Sequence, residues 1–107
     1  MGFDDYQKKA ATFEVPSDYR LEALVLGLVG EAGEVAEKFK KIYRDKNGAY
    51  SPSDVNELKK ELGDVLWYTA VLAKFFDHSL QDIADTNIEK LSDRKTRNVI
   101  TGKGDNR

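Results

Sequence analysis

The sequence predicts an all-α chain, a small helical bundle built around an antiparallel helical hairpin and completed by oligomerisation. Three observations carry the helical prediction. Apolar residues recur at a 3.6-residue period in four segments. Both prolines, Pro16 and Pro52, fall between those segments. No stretch alternates apolar and polar residues with the period of two that a strand requires.

The first segment, Phe3 to Phe13, places Phe3, Tyr6, Ala10 and Phe13 on one side, and Val15-Pro16-Ser17-Asp18 breaks it. Residues 19–45 carry one long stripe that includes Leu21, Leu24, Leu28, Val35, Phe39 and Ile42. Lys46-Asn47-Gly48 stops it, with a basic last turn and a glycine suited to a left-handed cap. The next helix opens on Ser51-Pro52-Ser53-Asp54. Ser51 suits the N-cap, Pro52 the first helical position and Asp54 the third. Its later half is apolar nearly all round, because Trp67, Val71 and Phe75 lie opposite Val65, Leu72 and Phe76. Such a helix needs more than one neighbour, and in so short a chain a second subunit is the expected cover. Ser79-Leu80-Gln81-Asp82 caps the last helix, with Leu80, Ile83, Ala84, Ile88 and Leu91 on its inner face. Residues 1–100 read as one domain and 101–107 as a loop-like tail, either disordered or folded over a ligand.

Composition excludes several classes. The 107 residues include 17 basic and 19 acidic side chains, for a net charge of −2. That is unlike a generally basic nucleic-acid binder, so no nucleic-acid partner is expected. No cysteine is present, which removes disulfides, thiol catalysis and cysteine-held zinc. The single histidine, His78, cannot build a polyhistidine metal site and is expected at a helix end. No apolar run reaches the ~18 residues of a membrane span, and no signal peptide is visible, so the expected place is the cytoplasm, away from membranes. Charge is uneven, however. Residues 1–85 carry 11 basic and 16 acidic residues, and residues 86–107 carry 6 and 3. The basic end is either a solvated helix terminus or a cation supply for an anionic ligand.

One pattern occurs twice. Glu31-Ala32-Gly33-Glu34-Val35 and Glu61-Leu62-Gly63-Asp64-Val65 both read Glu, any, Gly, acid, Val. Three-residue spacing puts each acid pair on one helix face. The midpoints of the two pairs lie 15 residues either side of the turn near Asn47 and Gly48. In an antiparallel hairpin they meet at one height, Glu31 opposite Asp64 and Glu34 opposite Glu61. Gly30, Gly33 and Gly63 sit inside helices, at a cost of about 1 kcal/mol each relative to alanine, which points to close packing or ligand access. Four carboxylates so gathered repel one another by about 4 kcal/mol per pair at 4 Å and an effective dielectric near 20. Either the face is exposed, with Lys38, Lys59 and Lys60 pairing along it, or a cation neutralises the acids. An all-oxygen set favours a hard ion, Mg²⁺ or Mn²⁺. A ferritin-like di-iron site is disfavoured because it needs Glu-x-x-His pairs. On the last helix, Asn87 lies in the apolar stripe, with Lys90 and Arg94 at its edge. These cations either bind phosphate oxygens or fray into solvent.

These residues resemble a known family. Gly30 to Glu37, Glu61 to Tyr68, Asn87-Ile88-Glu89-Lys90-Leu91-x-x-Arg94 and the Gly-x-Gly-Asp-Asn-Arg tail at 102–107 are similar to MazG-type nucleotide pyrophosphohydrolases. The resemblance covers roughly residues 20–107. It implies an all-α fold assembled as a homodimer or homotetramer. It implies Mg²⁺-dependent hydrolysis of a nucleoside triphosphate to the monophosphate and pyrophosphate, by activated water attacking the α-phosphorus. Mn²⁺ is a possible substitute for Mg²⁺. Carried over, Glu31, Glu34, Glu61 and Asp64 are the metal ligands, and Glu34 and Glu61 the catalytic carboxylates, with Glu34 the candidate to orient or deprotonate the water. Lys38, Trp67, Tyr68, Asn87, Lys90 and Arg94 are the substrate-binding candidates. Gly30 stands where many members carry an acid, which bears on the number of metal ions and on the identity of the base. Two alternatives accompany this reading: a phosphoribosyl-ATP pyrophosphohydrolase-like enzyme, and a non-catalytic helical interaction module.

Overall fold

The computed structural model describes all 107 residues. It contains four helices and no strand: α1 (Phe3–Ala11), α2 (Arg20–Lys46), α3 (Pro52–Phe75) and α4 (Leu80–Thr96). The caps follow the sequence. Ser51 accepts the Asp54 backbone N–H while the Asp54 carboxylate accepts the Ser51 N–H at 2.8 Å, a reciprocal capping box. Ser79 accepts the Asp82 N–H at 3.0 Å. Asn47 ends α2 in the left-handed region at φ 53°, and Gly48 follows at φ 82°. Only α1 falls short of its expected span, ending at Ala11 and leaving Phe13 64% exposed.

α2 and α3 lie against each other for most of their length, numbers falling on one as they rise on the other. Lys46 Nζ bonds Asp54 at 2.7 Å beside the turn, and farther along Lys38 Nζ approaches Glu61 at 3.7 Å. α1 crosses α3 and also touches α4, whereas α4 touches α1 and α3 but not α2.

The core sits where α1 crosses. Ala10, Leu24 and Val71 are buried together, with Tyr6, Trp67, Tyr68, Leu72 and Phe75 packed around them. Trp67 Nε1 donates to the Ala10 carbonyl at 3.0 Å. Ala10 of α1 and Leu24 of α2 pack with Trp67, Val71 and Phe75, and Arg20 lies over the Phe75 ring, so the chain itself covers part of the face for which the sequence suggested a second subunit. Gln7 fastens the joint. Its Nε2 donates to the Ala70 and His78 carbonyls at 3.0 and 2.9 Å, and its Oε1 accepts the Leu80 N–H at 3.1 Å. One buried amide thus satisfies backbone groups at the end of α3 and the start of α4. His78 lies at the helix end as expected, but its backbone N–H, bonded to Ala73, does the capping.

The rest of the chain is open. Nine of 107 residues are buried. The radius of gyration is 16.7 Å, against about 13 Å for a compact chain of this length. The accessible surface is 8060 Å², against about 6,000 Å² for a compact monomer of this mass. Val25, Val29, Leu62 and Leu66 are among the apolar side chains left exposed along α2 and α3. No helix is long and apolar enough to cross a membrane.

Candidate functional site

Midway along α2 and α3, carboxylate oxygens of Glu31, Glu61 and Asp64 come within 4.8 Å of one another. Helical spacing turns Glu61 and Asp64 to one face of α3, and the pairing of α2 with α3 delivers Glu31 opposite them. Glu31 and Glu61 are half-buried and Asp64 is exposed. Partial burial raises the Glu31 carboxyl above its ordinary range, and the charges of Asp64 and Glu61 raise it further. Such a cluster is anionic, oxygen-rich and open on one side. It could hold one hard cation, with Lys38 as a weak internal counter-charge 3.7 Å from Glu61 and 3.9 Å from Glu57.

Glu34 does not join the three. It is exposed, yet close enough that its charge contributes, as the smallest cause, to the rise at Glu31. Gly30, Gly33 and Gly63 have nothing within 4 Å of where a Cβ would stand. Of the two expectations for these glycines, close packing or ligand access, the first is absent within the chain, and the face between the acid pairs is open.

The glycine that does permit close approach is Gly27, to which the sequence reading assigned no role. A Cβ there would lie 2.2 Å from Tyr68 Cε1. The Tyr68 ring lies across α2 at that point, meeting Trp67 edge-on at 4.9 Å between centroids. The two rings wall a cleft of about 200 Å³, with Phe13, Val15, Leu24 and a Glu14–Arg20 ion pair around it. Tyr68 is one helical turn from Asp64, about 6 Å along the axis. The clustered carboxylates themselves do not line this cleft. Tyr6 is a second residue given no role: burial, then the charge of Asp64, raises its hydroxyl pKa. Its only signal in the sequence was its place on the apolar side of α1.

Asn87 and Lys90 line a different cleft, about 430 Å³, with His78, Asp82, Ile83, Thr86 and Asp105. Asn87 is exposed and does not face the core. Arg94 is 5% exposed, its guanidinium bonded to Asp105. None of these residues belongs to the carboxylate cluster, and the cleft holds one cation, Lys90, beside two carboxylates, Asp82 and Asp105.

Comparison with known proteins identifies the family. The family model of the MazG nucleotide pyrophosphohydrolase domain matches residues 20–99, which span the carboxylates, Tyr68, Asn87, Lys90 and Arg94. A protein of Mycobacterium phage L5, named Gene 37 protein, is 51% identical over 87 residues, 81% of this chain and 76% of that protein. No solved structure matches the chain. Since the matched span holds the acid motif and the helices that bring it together, the chain belongs to the MazG nucleotide pyrophosphohydrolase family.

Proposed function

We propose that the protein is a divalent-metal-dependent nucleotide pyrophosphohydrolase that converts a nucleoside triphosphate to the monophosphate and pyrophosphate. The observation that carries this reading is the three-carboxylate cluster, inside the span matched by the family. Three oxygen donors within reach of one ion fit Mg²⁺ or Mn²⁺, and fit softer metals poorly. Glu31, Glu61 and Asp64 would hold it, with Glu34 beside them. A cation bound there neutralises phosphate charge and acidifies water.

The chain's own groups supply the rest. Glu34 is exposed next to Glu31 and is the residue free to orient a water or take its proton. The Trp67–Tyr68 cleft, a turn from Asp64, suits the flat face of a base. Asn87 and Lys90 offer neutral and cationic donors to phosphate or sugar oxygens.

The protein acts as a homodimer or homotetramer in this reading. Surface some 2,000 Å² beyond that of a compact monomer, with apolar side chains along α2 and α3, supports a second copy laid on that face. The antiparallel α2–α3 hairpin would be its scaffold.

Pyrophosphate release from a panel of ribo- and deoxynucleoside triphosphates, with Mg²⁺, Mn²⁺ or EDTA, tests the reaction. Release from a subset, abolished by EDTA and reduced at least about a hundredfold by Glu61→Gln in a folded protein, is the expected result. No release from any nucleotide would overturn it. Light scattering tests assembly, and a stable 12.1 kDa species at micromolar concentration would sink the oligomer.

A further inference from the structure

The Gly-x-Gly-Asp-Asn-Arg tail is a folded loop held by arginines. The Arg107 guanidinium donates to the carbonyls of Val99, Ile100 and Gly104 at 3.1, 2.6 and 2.6 Å. Arg97 donates to the Arg107 carbonyl at 2.5 Å. Gly102 stands at φ 151°, where a Cβ would lie 2.9 Å from Arg107 Cδ. Only glycine suits that point. Asp105 is what the loop delivers. Its backbone carbonyl accepts from Arg94, and its Oδ1 takes Arg94 Nη2 at 3.0 Å and Lys90 Nζ at 2.7 Å.

The two cations differ. The Arg94 side chain is 6% exposed and spent on the loop. The Lys90 side chain is 36% exposed and lines the cleft with Asn87 and Thr86. Arg94 shares Asp105 with Lys90, and Asp82 also lines the cleft, so Lys90 is the one cation that the cleft offers an anion. Lysine has four rotatable side-chain bonds, and holding them before a ligand arrives lowers the ordering cost of binding.

We propose that Asp105 is a positioning residue that aims the Lys90 ammonium into the α4 cleft to receive phosphate oxygens of the substrate, with Arg94 as the post that fixes Asp105. The inference rests on the nucleotide-hydrolysing reading above. It separates Arg94 from Lys90: Arg94 binds the chain's own carboxylate, and Lys90 meets the ligand.

Kinetics of Asp105→Asn, Lys90→Met and the double variant on the best nucleotide test it, with Arg107→Ala as a variant that loosens the loop and keeps Asp105. Asp105→Asn should raise KM about fivefold with kcat within twofold, the mark of lost ground-state binding. In the Lys90→Met background it should change KM no further. Arg107→Ala should raise KM in the same direction by less. A lower KM or faster turnover in Asp105→Asn would make Asp105 a competitor of the substrate and overturn the proposal. So would an undiminished KM effect of Asp105→Asn when Lys90 is already Met.

A second measurement separates this failure from failure of the reaction itself. Acetic anhydride labelling, read by mass spectrometry, compares Lys90 with Lys95 and Lys103. Asp105→Asn should speed labelling of Lys90 about threefold relative to the other two, as an ion pair worth a fraction of a kcal/mol is lost. Unchanged labelling overturns the positioning role even if no nucleotide is hydrolysed.

Discussion

Where α1 crosses α3, Leu24, Ala70 and Val71 are sealed, and Gln7 ties together backbone groups of α3 and the α3–α4 junction; along the rest of α2 and α3, Val29 and Leu62 remain more than half exposed. Both regions carry the same helical apolar period. What separates them is a third helix. Two helices packed side by side bury only the strip between them, and each keeps an apolar flank facing water. Nine residues of α1 remove that flank at one end and nowhere else. The carboxylate cluster lies at the boundary, close enough to the closed end for Asp64 to act on Tyr6. Its glycines face the open side.

The largest test of this contrast is a matched truncation. Leu24→Ala should cost about 3 kcal/mol in urea unfolding, independent of protein concentration, because it empties a sealed site. Leu62→Ala should cost far less in the isolated chain, and its effect should grow with concentration if a second copy covers that face. Equal, concentration-independent costs would erase the distinction between the two regions.

Next in size is a pair of glycine substitutions on α2. Gly27→Ala must push the Tyr68 ring aside, and overpacking of that kind costs about 1–3 kcal/mol. Gly33→Ala meets nothing within the chain and should stabilise the monomer by up to about 1 kcal/mol through helix propensity. Thermal melts of the two proteins should therefore move in opposite directions. A loss for Gly33→Ala that appears only in the assembled protein would locate the covering subunit at the acid face.

The smallest effects are in pH dependence. The Glu31 carboxyl is raised in the folded chain, so its contribution is present below the ordinary glutamate value and is lost as pH climbs through the raised one. Asp54 behaves oppositely. Its bonds to Lys46 and to the Ser51 backbone hold it down to about 2, so its contribution is present above the ordinary aspartate value and fades as pH falls toward 2. In EDTA, Glu31→Gln should remove the decline in melting temperature on the neutral side of the ordinary glutamate range and leave the acid side unchanged. Asp54→Asn should do the reverse. A neutral-side decline that survives Glu31→Gln would assign it to other groups.

Much of this was written in local sequence. Ser51, Pro52 and Ser79 mark two helix starts, and Asn47 with Gly48 marks the main turn, because caps depend on groups a few residues apart. The doubled acid motif, equidistant from that turn, placed Glu31 with Asp64. Glu34 was harder. Spacing puts it on the same face as Glu31, but whether a long flexible side chain joins a cluster depends on the exact facing of two helices. Gly27 could not be singled out among the helical glycines, since its role depends on a ring from 41 positions later. Gln7 was invisible for the same reason, its partners lying at Ala70, His78 and Leu80.

The sequence by itself determined the four helices, the caps that open α3 and α4, the turn that ends α2 and the acid motif, all properties of residues close together along the chain. The tertiary structure alone decided which apolar faces are covered, that Tyr68 lies on Gly27, and that Arg94 is spent on Asp105. Those outcomes turn on which side chain arrives within a few ångströms from a distant element, and helical periodicity states that a face is apolar without stating what will meet it.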